Sequence, residues 1–139
     1  VVYDKDLPHY NTTNGVIKNI DVRVSESNPI MWIDALNMIF ERAKVKKNIL
    51  SKIKAISVSG QQHGLVSLNN EGRLTKPTSK LWNDFSTQKE CDILTDYIGG
   101  EKSMISEIGN TQRTGYTASK IFHMYRNENI LFKETNCFF

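Results

Sequence analysis

Residues 55–68 read AISVSGQQHGLVSL, and no other stretch of the chain narrows the fold as much. The run 55–59 is β-branched and apolar and stops at Gly60. A second apolar run, Leu65-Val66-Ser67-Leu68, follows Gly64. Both runs have strand character. Between the glycines lie Gln61, Gln62 and His63. Glycine permits backbone conformations closed to other residues and lets a ligand come near the main chain. An amide, like a neutral imidazole, carries both donor and acceptor. Three such side chains at a strand end suit a ligand rich in hydroxyls. They fit equally a plain β-hairpin with a polar, solvated turn.

Upstream, Val1 to Tyr3 is a short strand candidate that Pro8 closes off, since proline cannot donate to a ladder. Residues 9–15, HYNTTNG, form a loop with an Asn14-Gly15 turn signal, and Val16-Ile17 follow in extended form. Asn28 can cap a helix and Pro29 suits its first position. Trp32, Leu36, Ile39, Phe40 and Ala43 then recur at helical spacing. The pattern predicts a helix from residue 29 to about residue 46, packed by that face on a buried strand over residues 53–59. Helix leading into buried strand predicts an α/β layer architecture.

Downstream, residues 69–73 form a turn, and Lys80-Leu81-Trp82 are extended until Asn83-Asp84 stop them. Thr87 and Glu90 have the spacing of a capping box, opening a helix with Cys91, Leu94 and Ile98 on one face. Gly99-Gly100 end it. A short helix over residues 101–108 closes at Gly109-Asn110, and Thr117 caps a last helix carrying Ile121, Met124 and Tyr125. Residues 135–139, TNCFF, carry no readable pattern. Leu81-Trp82-Asn83-Asp84 is a second candidate site. An indole can lie against the C–H face of a sugar, and Asn and Asp beside it can bind hydroxyls. The alternative is a core Trp followed by an Asx-type turn. Ligands sit beyond strand ends in α/β folds, which favours two polar turns in one layer as a site.

With 139 residues the chain is one domain or part of one. Val1-Val2-Tyr3 reads as a strand already under way, so a piece of a longer protein is expected. No apolar run approaches ~20 residues, so no membrane helix is expected. No leader pattern opens the chain, and a cytoplasmic location is expected. Two cysteines without a CxxC pair point away from a disulfide framework or a zinc site. Five lysines fall between Lys44 and Lys54. They suit a solvated helix end, where cations favour the dipole, better than a nucleic-acid patch. His9, His63 and His123 lack metal-ligand spacing. There is no phosphate-loop, dinucleotide or nucleophile-elbow motif. Cys91 could pair with His63 on paper, but its apolar helix face makes it a buried, inert thiol.

Ser57-Val58-Ser59-Gly60-Gln61-Gln62-His63-Gly64 resembles the sugar-contacting segment of the xylulose kinases in the FGGY carbohydrate kinase family. Leu81-Trp82-Asn83-Asp84 is similar to that family's LWND segment, and Gly109-Asn110 with residues 114–120, TGYTASK, to its TGN…GFTAPK region. Asp6-Leu7-Pro8-His9-Tyr10 and Pro29-Ile30-Met31-Trp32 resemble the DLPxY and PxxMW segments. The order and spacing hold over roughly residues 1 to 130.

The resemblance implies a partial ribonuclease-H-like (actin-like ATPase) domain, a mixed sheet with flanking helices. It implies that residues 1–139 are an internal part of the N-terminal, sugar-binding domain. The DxGT loop, the second, nucleotide-binding domain and the base aspartate are expected to lie elsewhere. The substrate implied is D-xylulose, phosphorylated to D-xylulose 5-phosphate, with ATP and Mg2+ as cofactors of the whole enzyme. Gln62 and His63 are the implied sugar contacts, Gln61 supports their loop, and Trp82, Asn83 and Asp84 line the adjacent wall. No catalytic residue, metal ligand, nucleic-acid partner or membrane partner is implied for this chain, a homodimer is left open, and the chain alone is expected to be inactive. Some animal-type members carry an arginine where this sequence has Gly115. Another sugar kinase of the family, such as one for gluconate, and a non-catalytic binding module using the lysines are the alternatives.

Overall fold

Asn28 and Pro29 start the longest helix as their chemistry dictates: the Asn28 side chain accepts from the Ile30 N–H at 2.9 Å and Pro29 takes the first turn. The structure, a computed structural model, describes residues 1–46 and 49–139. In chain order it has α1 (Tyr3–Asp6), a 3-10 turn (Pro8–Tyr10), β1 (Thr12–Thr13), β2 (Val16–Ile17), β3 (Glu26–Ser27), α2 (Pro29–Lys44) and α3 (Ile49–Lys52). Then come β4 (Ser67–Leu68), β5 (Ser79–Lys80), α4 (Gln88–Tyr97), α5 (Glu101–Ile108), α6 (Thr117–Asn127), α7 (Asn129–Glu134) and β6 (Cys137–Phe138). Among the described residues the strands form three antiparallel pairs: β1 with β2, β3 with β5, and β4 with β6. No helix among the described residues is long and apolar enough to cross a membrane.

Asn14 and Gly15 turn β1 into β2 with φ of 52° and 79°, the two left-handed residues that a tight hairpin needs. Asp4 holds this hairpin, accepting from Thr12 Oγ1 at 2.8 Å and from the Asn14 N–H at 2.6 Å. These bonds hold the Asp4 carboxyl below its usual range. Val1 to Tyr3 do not form the expected strand; Tyr3 already opens α1, whose Leu7 end packs on α2. That core joins Leu7 to Met31 and Ala35, flanked by Tyr3, Tyr10, Trp32 and Met38. Tyr10 fixes the contact by donating to Asp34 at 2.6 Å, a bond that pushes the phenol up to about 12.

The inward face of α2 is therefore Met31 and Ala35 with Trp32 half-buried, not the expected Trp32-Leu36-Ile39-Phe40-Ala43 stripe. Leu36 and Ile39 face outward. The expected buried strand over residues 53–59 is also corrected. Ile56 is 67 % exposed and Val58 86 %, and among the described residues no ladder includes residues 53–60. A buried strand needs ladder neighbours at its edges and cover on its faces, and no described segment supplies them. The hairpin between residues 55–59 and 65–68 is excluded for the same reason. Of the lysine-rich segment, Lys47 lies outside the described residues.

The second half is better covered. Leu65, Leu81, Cys91, Met104 and Met124 are buried there. α4 packs on α6, and α6 on α7. Gly99, Gly100 and Gly109 take the left-handed backbone that ends α4 and α5. The Thr87-Glu90 capping box does not form. The Thr87 hydroxyl reaches the Thr114 carbonyl at 3.2 Å and the Ser119 hydroxyl at 3.0 Å instead, joining the start of α4 to α6. Glu90 turns to Arg126, 2.9 Å away. The fold is α/β, with short ladders bracketed by helices.

Candidate functional site

Three loops far apart in sequence meet at one place. The first is the turn 60–64, where His63 has φ +62°. This left-handed backbone is uncommon for any residue but glycine, though histidine is among those enriched there. The second runs from the end of β5 through Leu81 and Trp82. The third is the loop before α6, residues 113–116. The Gln61 side chain accepts from the Trp82 N–H at 3.2 Å, tying the first loop to the second. The His63 and Tyr116 rings lie 4.8 Å apart, tying the first to the third. At Gly115 an added Cβ would sit 2.7 Å from the Trp82 carbonyl oxygen, so only glycine lets the third loop approach the second this closely. An arginine there would meet the same oxygen.

Beneath the three loops is Lys120, on the first turns of α6 and 0 % exposed. Its ammonium donates to the carbonyls of His63, Leu81 (2.7 Å) and Gly115 (2.8 Å). Burial pushes it down to about 8; the Asp84 charge opposes that and Lys80 adds to it. The sequence reading missed this residue. A lysine on an amphipathic helix reads as solvent-facing, yet Lys120 lies four residues before the buried Met124, on the apolar stripe. That spacing was the available signal.

His63 and Trp82 stand between two concavities. One, of about 710 Å³, is lined by Gln61, His63, Trp82, Trp32, Ser27 and Thr117 among others. The other, of about 480 Å³, is lined by His63, Trp82, Phe85, Gln112, Arg113 and Tyr116 among others. Each holds a buried polar atom without a protein partner: Ser27 Oγ in the first, Gln112 Oε1 in the second. The exposed Trp82 indole with the Gln61 and His63 side chains beside it suits a ligand with an apolar face and hydroxyls. Among the described residues neither cleft is lined by an aspartate or glutamate side chain.

Of the residues singled out from sequence, Gln61, His63 and Trp82 come together here, all exposed. Gln62 is exposed in the same turn but lines neither cleft. Asn83 and Asp84 turn away. Asn83 accepts from Ser25 Oγ at 2.9 Å. Asp84 is fully buried and accepts from the Ser25 N–H at 2.8 Å, Ser86 Oγ at 2.6 Å and Lys80 at 3.3 Å. They hold the segment entering β3 against the second loop, which is why Trp82 is presented outward. Cys91 is buried, and its thiol is pushed up by that burial. Among the described residues no three carboxylate, imidazole or thiol groups converge on a point that could hold a metal ion.

Residues 6–139 match the model of the FGGY family of carbohydrate kinases, N-terminal domain. The xylulose kinase of Schizosaccharomyces pombe is 36% identical over 140 residues, covering 87% of this chain and 24% of that protein. That of Haemophilus influenzae is 41% identical over 108 residues, covering 73% of this chain and 22% of that protein. Among solved structures, the xyloylose kinase of Brucella ovis superposes with a TM-score of 0.75 at 28% identity, over 88% of this chain and 25% of that one. The gluconate kinase of Lactobacillus acidophilus gives 0.73 at 21% identity, over 89% and 24%, a likeness of fold alone. The chain spans about a quarter of the length of the relatives it matches. Its fold is part of the actin-like ATPase fold of those kinases.

Proposed function

The chain belongs to the FGGY family of carbohydrate kinases, and on that premise we propose that it forms the sugar-binding wall of an ATP-dependent D-xylulose kinase. The observation that carries the reading is the meeting of Gln61, His63, Trp82 and Tyr116, from three separate loops, between two adjoining clefts that His63 and Trp82 both line. The Trp82 indole takes the apolar C–H face of the sugar. The His63 imidazole, with Gln62 beside it, takes hydroxyls, and Gln61 keeps Trp82 in register. The two xylulose kinases at 36% and 41% identity support xylulose over gluconate.

In this reading the 5-hydroxyl oxygen of D-xylulose bonds to the γ-phosphorus of ATP, ADP leaves, and the hydroxyl proton passes to an aspartate of a second domain. That domain also holds the nucleotide and its magnesium ion. Such transfers depend on positioning and charge stabilisation more than on covalent chemistry by the protein. The clefts described here, without a carboxylate, suit orientation of the sugar and not activation of its hydroxyl. The two free cysteines fit a reducing compartment, and the reading puts the protein in the cytoplasm.

The test is saturation-transfer NMR of the full chain with D-xylulose and with D-gluconate. Transfer to D-xylulose, lost in His63→Ala and in Trp82→Ala, is the expected result. Transfer to gluconate alone would move the assignment to the other sugar. Transfer to neither, or transfer indifferent to both substitutions, would refute the reading.

A further inference from the structure

We propose that Lys120 is the positioning residue of this site: its buried ammonium sets the backbone of all three loops and so the stance of the three rings around the cleft. The proposal rests on the sugar-binding reading for its functional consequence, but its geometry stands apart from that reading.

An ammonium has three N–H donors and no acceptor. Lys120 spends all three on carbonyls, one from each loop. Each carbonyl lies at an aromatic residue of the site. His63 carries its own ring; Leu81 precedes Trp82, and Gly115 precedes Tyr116. The three loops are also joined by the Gln61–Trp82 bond, the His63–Tyr116 ring contact and the close approach at Gly115. His63 is also held in a left-handed conformation, which persists only when its surroundings fix it.

A charge taken out of water is costly unless its hydrogen bonds are complete. Among the described residues no carboxylate bonds to the Lys120 ammonium; it donates to the three carbonyls. An apolar residue of like size would strand those three acceptors. Arginine would not replace it, because a planar fork cannot direct three donors at carbonyls converging on one point. Lys120 lines neither of the two clefts beside His63 and Trp82. It acts through the loops.

The experiment uses the full chain as wild type, Lys120→Met and Lys120→Arg. Folding is followed by circular dichroism, the rings by proton NMR of the histidines, and sugar contact by saturation transfer to D-xylulose. The His63 ring protons sense the Tyr116 ring, while His9, its ring tilted against Tyr10, and His123, bonded to Asn127, are internal controls. In folded Lys120→Met the His63 resonances should lose the ring-current shift from Tyr116, with the controls unchanged. Sugar contact should fall roughly tenfold or more, and Lys120→Arg should not restore either signal. Unchanged His63 resonances and sugar contact in either folded variant would overturn the proposal. Should Lys120→Met not fold, wild type labelled with 15N at its lysines still decides. An ammonium held by three carbonyls gives a resonance in slow exchange with water, and its absence would overturn the proposal. A wild-type chain that binds no xylulose, yet loses its His63 signature with Lys120, would sink the sugar reading and leave the hold on the loops standing.

Discussion

Gly115→Ala is the sharpest test of how the loops are assembled. The new Cβ would lie 2.7 Å from the Trp82 carbonyl oxygen, where ordinary contact begins at 3.4 Å. The obstacle is main chain and cannot swing away. The loop must retreat by about 0.7 Å, the difference between these two distances. Directed along the bond, that retreat would lengthen the Lys120–Gly115 hydrogen bond from 2.8 Å to about 3.5 Å, outside useful range. Overpacking costs about 1–3 kcal/mol, and a lost bond to a charged donor about 1.5–3 kcal/mol. The expected loss is about 2.5–6 kcal/mol, or a fall in Tm of roughly 8–20 °C for a chain of this size. Thermal and urea unfolding followed by circular dichroism would measure it. Gly60→Ala is the control, since nothing lies within 4 Å of its added Cβ and its backbone is not left-handed. It should stay within about 0.5 kcal/mol of wild type. If Gly115→Ala also stays within that margin, the close approach at Trp82 is not a constraint and the account of the three loops fails.

His63→Ala should weaken sugar use by roughly threefold to more than tenfold, the value of one hydrogen bond with or without a stranded partner. In a phosphorylating assembly it should leave KM for ATP nearly unchanged, and steady-state kinetics on folded variant would check both. The 139-residue chain alone should form no xylulose phosphate above a no-protein control in a coupled ADP assay. Stability should also respond to pH through Lys120, whose folded value of about 8 lies below its ordinary 10.5. Between those values the unfolded chain binds the extra proton, so this group's contribution to stability rises with pH. The slope approaches about 1.4 kcal/mol per pH unit, which predicts a gain of about 1–2 kcal/mol from pH 8 to 9.5. Urea titrations at the two pH values should show that gain in wild type and not in Lys120→Met. The neutral amine keeps two donors for three carbonyls, so the gain comes from no longer burying a charge.

What the sequence disclosed was what is decided locally. Asn28-Pro29, Asn14-Gly15, Gly99-Gly100 and Gly109 each mark a boundary through the chemistry of one or two residues, and α2, α4, α5 and α6 lie within a few residues of where those signals put them. The meeting of Gln61, His63 and Trp82 was also legible, through the resemblance of their segments to a known family. The failures share a cause, dependence on distant partners. The run 55–59 has the composition of a buried strand, but composition does not supply a ladder neighbour. β3 and β6 are two residues long and exist only through β5 and β4. The inward face of α2 was set by Leu7 and Tyr10, not by its own stripe. The partners of Asn83 and Asp84, namely Ser25, Ser86 and Lys80, were likewise not visible in the segment itself. Lys120 was hidden because a lysine's burial is decided by three acceptors elsewhere in the chain.

Synthesis runs from one end of the chain to the other, and the anchor of the site is made late. Lys120 follows the carbonyl of His63 by 57 residues. At roughly 5–20 residues per second, the turn at residues 60–64 waits about 3–11 s on the ribosome before its lysine has even been added. During that interval the Lys120 bond that helps to hold the left-handed backbone of His63 does not yet exist. Slower decoding between the two positions lengthens the exposure. The nascent segment ending at residue 64 is thus the point at which a holding chaperone, or a misplaced strand from a neighbouring chain, has its longest opportunity to act.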